Sequence, residues 1–219
     1  MAELRTEEEQ LEAIKRWWKE NGMSLIAGVV IAAAGVLGWN AWKDYQANQA
    51  EAASMRYQQL LNIVSQNELE ADELAQAQEL IGAIIDDHGK TLYADLAGLV
   101  EARLAVADND LTSAKTALGD VIKSTSREYI RSLARLRLAR LQLATGDPEA
   151  ALATLDENIA SSLAAQRADV LGDVYLALDR DEDARKSYQQ AMTLAEELGQ
   201  PLYGIQLKLD NLGTQEATL

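Results

Sequence analysis

Residues 168–191 read ADVLGDVYLALDRDEDARKSYQQA. Leu171-Gly172 and Tyr175 sit at helical spacing before the polar turn Asp179-Arg180-Asp181. After it, Ala184, Tyr188 and Ala191 repeat that spacing. Small residues let two paired helices approach closely, and the larger side chain fills the gap to the neighbouring unit. The stretch therefore encodes a helical hairpin.

The same pattern occurs twice upstream. With the second helices of Asp95–Ser124, Ser132–Ser161 and Glu157–Leu198 in register, Ala114, Ala151 and Ala184 align at intervals of 37 and 33 residues. A polar turn precedes each alanine, Asp108-Asn109-Asp110 in the first copy and Thr145-Gly146-Asp147-Pro148 in the second. Pro148 falls near a helix start, where a missing N–H costs nothing. The period is close to the roughly 34 residues of a tetratricopeptide repeat, and the copies resemble that family. The third carries its Leu-Gly-x-x-Tyr and small-aromatic-small places. The second keeps Leu138, Ala139, Ala151 and Leu155 but has Gln142 at the tyrosine place, and the first keeps Ala102, Ala105, Ala114 and Leu118.

Further helices are expected on both sides. Residues 43–66 and 73–87 show helical periodicity, separated by a polar break at 67–72, and the helices at 51–66 and 73–87 are expected to form a degenerate leading repeat. Gly89 is expected to close the second of these in a left-handed cap. A last helix, Pro201 to Leu212, carries Leu202, Ile205, Leu209 and Leu212 as the stripe that covers the final repeat, and the tail after Gly213 is expected to fray. The fold class is all-α, a tetratricopeptide-like α-solenoid over residues 43–219.

Ahead of it, residues 23–42 read MSLIAGVVIAAAGVLGWNAW, and no charged residue interrupts the chain from Asn21 through Trp42. About 20 helical residues span the roughly 30 Å hydrocarbon core of a bilayer. Trp17, Trp18, Trp39 and Trp42 flank the run, where amphipathic rings favour headgroups. A buried soluble helix would not need that belt. A cleaved signal peptide would have a shorter apolar run and no acid-rich residues 1–22 before it. We read 23–42 as an uncleaved transmembrane signal anchor. Arg5, Lys15, Arg16 and Lys19 precede it, against Lys43 and Arg56 in a similar length after it. That bias keeps the N-terminus cytoplasmic and sends the rest across, into the periplasm of a bacterium. Gly28, Ala32 and Gly35 share one face, which lets another helix approach. Residues 6–20 are expected to form a short amphipathic helix, with Thr6 and Glu9 as a capping box and Leu11, Ile14 and Trp18 towards the membrane surface, ended by Gly22; an unpartnered tail is the competing reading.

Composition excludes several functions. The chain holds 20 basic and 35 acidic residues; the first 42 positions account for four and six, leaving 16 and 29 and a net charge of −13 beyond Trp42. Such a domain repels a nucleic-acid backbone, and no basic cluster overrides the field. Without cysteine there is no disulfide or thiolate chemistry. His88 is the only histidine, so no histidine metal cluster or catalytic triad can form; a helix end or solvent is its expected place. Asp179, Asp181 and Asp183 lack the spacing of a calcium loop and suit a turn leading into a helix. No phosphate-cradling glycine loop is present. No catalytic residue, metal or cofactor is expected.

A repeat solenoid instead offers a concave groove. By resemblance to the tetratricopeptide family, its groove-facing places are Leu99 and Arg103, Leu136 and Arg140, and Asp169 and Asp173. The leucines can anchor a partner segment while the arginines pair with its carboxylates. The competing reading pairs these arginines with neighbouring acids.

The whole chain is similar to the YfgM-type ancillary subunit family of the Sec translocon. The likeness runs through Glu8-x-x-Leu11-Glu12-Ala13-Ile14-Lys15-Arg16-Trp17-Trp18, Glu20-Asn21-Gly22, Gly38-Trp39-x-x-Trp42 and Leu207-Lys208-Leu209-Asp210-Asn211-Leu212. It implies a single-pass inner-membrane protein with a periplasmic repeat domain, associated with the SecYEG channel. It also implies a membrane-anchored periplasmic chaperone of the prolyl-isomerase class as partner, hand-off of translocated proteins to periplasmic chaperones, and a link to a cytoplasmic response regulator of envelope stress. The alternative is an adaptor for another envelope assembly.

Overall fold

The computed structural model describes residues 7–66 and 69–213, with side chains from residue 9. Nine α-helices are described: α1 (Glu7–Val64), α2 (Ala71–His88), α3 (Leu92–Ala107), α4 (Leu111–Ser124), α5 (Glu128–Ala144), α6 (Pro148–Asp156), α7 (Ala164–Ala177), α8 (Asp181–Glu197) and α9 (Ile205–Asn211). A short 3-10 turn, Ser161–Leu163, precedes α7. No strand occurs among the described residues. The chain forms two compact units, Met1–Glu51 and Ala52–Leu219.

In the first unit, residues 23–42 carry no charge, are mostly apolar and are exposed throughout. No protein core claims these side chains, and the helix is long and apolar enough to cross a membrane. This is a single-pass membrane anchor. Trp39 and Trp42 rest on one another at its far end, ring centroids 5.1 Å apart. The expected helix break at Gly22 does not occur. The helix continues, and Gly22 instead seats the indole of Trp18, whose atoms would lie 3.4 Å from a Cβ there. Thr6 of the expected capping box lies outside the described residues.

In the second unit, residues 52–64 of α1 join α2 and one face of α3. Leu60, Val64, Ile81, Ile84, Ala97 and Val100 form one core there. Arg56 fastens the pair by donating to Ala83 O at 3.1 Å and to Asp87 at 2.5 Å. The expected leading repeat is thus present as a packed hairpin. Its polar break is shorter than expected: Ala71 and Asp72 already belong to α2, and Asn67 and Glu68 lie outside the described residues. Gly89 is right-handed, with φ −55°, not left-handed. Its lack of Cβ serves close approach, since that atom would stand 2.8 Å from Ile85 O. His88 ends α2 and is buried; its carbonyl accepts from Thr91 Oγ1, which caps α3.

Three further hairpins follow, α3–α4, α5–α6 and α7–α8. Ala114, Ala151 and Ala184 are all fully buried, as are Leu155 and Tyr188, and Leu118 nearly so. Each turn has the same construction. Asn109, Gly146 and Asp179 take φ of 57°, 77° and 55°. The next residue's N–H then reaches back to the carbonyl five before it: Asp110 to Ala105, Asp147 to Gln142, Arg180 to Tyr175. This closure satisfies carbonyls that a helix end leaves open. Asp110 and Asp147 cap the following helices through Ser113 N and Ala150 N. Arg180 replaces the acidic cap in the third hairpin, pairs with Asp183 and lies over the Tyr175 ring.

Arginines and polar side chains tie the helices together within and between hairpins. Asp95, buried, accepts from Thr125 Oγ1 at 2.6 Å and Arg127 at 2.9 Å. Arg135 pairs with Glu157, and Arg167 donates to Leu155 O at the end of α6. The last helix begins at Ile205 rather than Pro201, because Gly204 turns left-handed at φ 87° just before it. Ile205, Leu209 and Leu212 cover the third hairpin at Tyr188 and Ala191.

Candidate functional site

The candidate site is a groove of about 450 Å³ between α3 and α5. Leu99, Ala102, Arg103 and Val106 line it from α3, and Arg137, Arg140, Leu141 and Ala144 from α5, with Leu118 at the floor. Successive helical turns bring these residues to one side of each helix. Val106 is 47% exposed, and Arg103, Arg137 and Arg140 are exposed as well. Three guanidinium groups therefore rim an aliphatic trough.

Their pairing is unusual within the domain. Arg56, Arg127, Arg135, Arg167 and Arg180 each meet a carboxylate, while Arg131 and Arg185 donate to carbonyls. Arg103 donates to Val64 O at 3.1 Å, at the end of α1, and meets no carboxylate among the described residues. Arg137 and Arg140 have no hydrogen bond or ion pair among the described residues. Partial desolvation against the groove wall, then the nearby Arg103 and Arg140, hold the Arg137 pKa below the usual arginine value. Tyr57 stands close by: burial raises its hydroxyl pKa, and Arg103 and Arg137 pull against that rise. Like charges crowded on an apolar wall repel one another, and an anion would relieve that repulsion.

The six groove positions expected from the sequence separate into three groups. Leu99, Arg103 and Arg140 meet in the groove. Leu99 is only 4% exposed, so it forms the floor. Leu136 is 1% exposed and packs in the core with Ala139, Leu155 and Val170, away from any partner. Asp169 and Asp173 are engaged by the chain's own last helix: Lys208 Nζ lies 2.7 Å from a carboxylate oxygen of each. Tyr188 donates its hydroxyl to Asp173 at 2.8 Å. Burial lowers the Lys208 pKa, but the bonds to Asp169 and Asp173 outweigh it and hold the ammonium above its usual value. Burial and the bond to Asp173 push the Tyr188 hydroxyl pKa upward.

Arg137 was missed by sequence reasoning. It lies one helical turn before Arg140 and shares its face, a relation readable from i, i+3 spacing. The position rule borrowed from tetratricopeptide repeats passes over it. In the anchor, Gly28, Ala32 and Gly35 are all exposed, and a Cβ added at Gly28 or Gly35 would meet nothing within 4 Å.

Comparison with known proteins agrees with this architecture. A family model described as a tetratricopeptide repeat-like domain matches residues 15–214. A Haemophilus influenzae protein named ancillary SecYEG translocon subunit is 32% identical over 94% of this chain and 97% of its own length. A relative of the same name from Aggregatibacter actinomycetemcomitans is 37% identical over 97% of this chain and 100% of its own. An Escherichia coli relative, again so named, is 31% identical over 84% and 85%. No solved structure matches the chain. One apolar anchor, helical hairpins of this period and likeness along nearly the whole length converge: the chain belongs to the ancillary SecYEG translocon subunit family.

Proposed function

We propose that the protein is a non-enzymatic scaffold, tethered by residues 23–42, that associates with the SecYEG translocon and helps pass translocated proteins to a periplasmic chaperone. The groove carries the binding part of this reading. Three arginines without carboxylate partners among the described residues line an aliphatic trough in a domain of net charge −13, a surface suited to holding another chain. The names of its relatives support SecYEG as the partner. The excess of Lys and Arg before the anchor supports a periplasmic repeat domain and a cytoplasmic N-terminus. The open face of Gly28, Ala32 and Gly35 suits close packing against a translocon helix. A membrane-anchored prolyl-isomerase-like chaperone is the proposed second partner, and a response regulator on the cytoplasmic side a third, both by family resemblance.

The test is purification of the full-length protein from membranes in mild detergent, with and without crosslinking. Recovery of SecY, SecE and SecG with a periplasmic chaperone is expected. Their absence, with another envelope complex enriched, would overturn the assignment.

A further inference from the structure

We infer that the groove between α3 and α5 takes a peptide segment in which carboxylates flank an aliphatic side chain, the carboxylates going to Arg103, Arg137 and Arg140. This rests on the reading that the repeat domain binds proteins through its groove, and it names the chemistry of the occupant. Two observations define that chemistry. Among the described residues Arg137 and Arg140 have no acceptor, and Arg103 spends a single N–H on Val64 O, leaving donors of its planar fork for a ligand. Between them, Leu99, Val106, Leu141 and Ala144 offer only carbon. A free inorganic anion would leave that apolar wall unused. An uncharged apolar segment would cover the guanidinium groups without pairing them, at a desolvation cost. A segment with both features satisfies both surfaces. The surrounding negative domain adds selectivity: an acidic segment is repelled everywhere except where the arginines gather.

The experiment uses the full-length protein in detergent and a fluorescein-labelled Glu-Leu-Glu-Leu-Glu-Leu-Glu peptide, read by anisotropy. Three competitors replace all Glu by Gln, all Glu by Lys, or all Leu by Glu. The first peptide should bind about tenfold or more tightly than each of the others, as expected for charge-assisted hydrogen bonds. Arg137→Gln with Arg140→Gln should lose a similar factor, while Arg103 stays in place to keep its bond to Val64. Should that pair disturb the fold, as judged by hydrogen exchange in α5, Val106→Asp on the exposed rim gives a second reading and should also weaken the acidic peptide about tenfold. Equal binding of the Glu and Gln peptides, unchanged binding by the variants, or no binding of any peptide would overturn the inference. SecYEG co-purification on the same variants is a separate readout. Peptide selectivity without any SecYEG association would sink the proposed function and leave the groove chemistry standing; SecYEG association without peptide selectivity would do the reverse.

Discussion

Gly172→Ala tests the packing that defines the third hairpin. A Cβ at this position would stand 2.3 Å and 2.4 Å from Tyr188 Cε1 and Cδ1. The ring is fully buried, and its hydroxyl is tied to Asp173, which is tied in turn to Lys208. It cannot swing aside without losing those bonds. Overpacking of this kind costs about 1–3 kcal/mol, and the better helix propensity of alanine returns up to about 1 kcal/mol. A net loss of about 1–2 kcal/mol should raise hydrogen-exchange rates in α7 and α8 by about 5–30-fold, with the full-length protein in detergent. The other hairpins suggest the rescue. At the corresponding places they carry Ala102 with Leu118 and Ala139 with Leu155. In a Tyr188→Leu background, Gly172→Ala should therefore be neutral or stabilising, so the two changes couple. An equal cost in both backgrounds, or slower exchange in the single variant, would refute the reasoning.

Two further outcomes are expected. Asp95→Ala leaves Thr125 and Arg127 without their buried acceptor, which should cost about 2–3 kcal/mol, while Asp95→Asn, which keeps one acceptor oxygen, should cost less; thermal unfolding of the purified chain checks the order. Lys208 has its folded pKa above its ordinary 10.5, so its contribution is complete below that value and is lost as pH rises through the folded pKa. The methyl NMR signal of buried Ile205 should move towards its unfolded position above about pH 10.5, and Lys208→Met should show that displaced signal already at neutral pH; identical titrations in both proteins would contradict the role of Lys208 as a latch.

The hairpin register was legible because Ala114, Ala151 and Ala184 sit where two helix backbones meet and nothing larger fits. The polar turns marked the chain reversals, but not the shared left-handed residue, since Asn109, Gly146 and Asp179 differ in kind and only their φ angles agree. Gly89 and Gly22 misled the reading. Glycine signals a helix end by composition, whereas here one clears a carbonyl and the other seats an indole, and both needs are set by neighbouring atoms. The groove was half legible. Arg103 and Arg140 followed the repeat spacing, but Arg137 did not, and neither Leu136 nor the third pair of positions reaches the groove. Asp169 and Asp173 are met by Lys208, which lies 39 and 35 residues away along the chain, and no local pattern reveals such a partner.

The absence of cysteine makes the central claim of a membrane-tethered domain facing the periplasm directly measurable, because one introduced thiol is the only one in the protein. Tyr129 and Glu12 are both exposed, on α5 and near the start of α1. In intact spheroplasts, a membrane-impermeant maleimide should label Tyr129→Cys at once and Glu12→Cys only after lysis. Labelling of Glu12→Cys in intact spheroplasts, with Tyr129→Cys protected until lysis, would contradict the account.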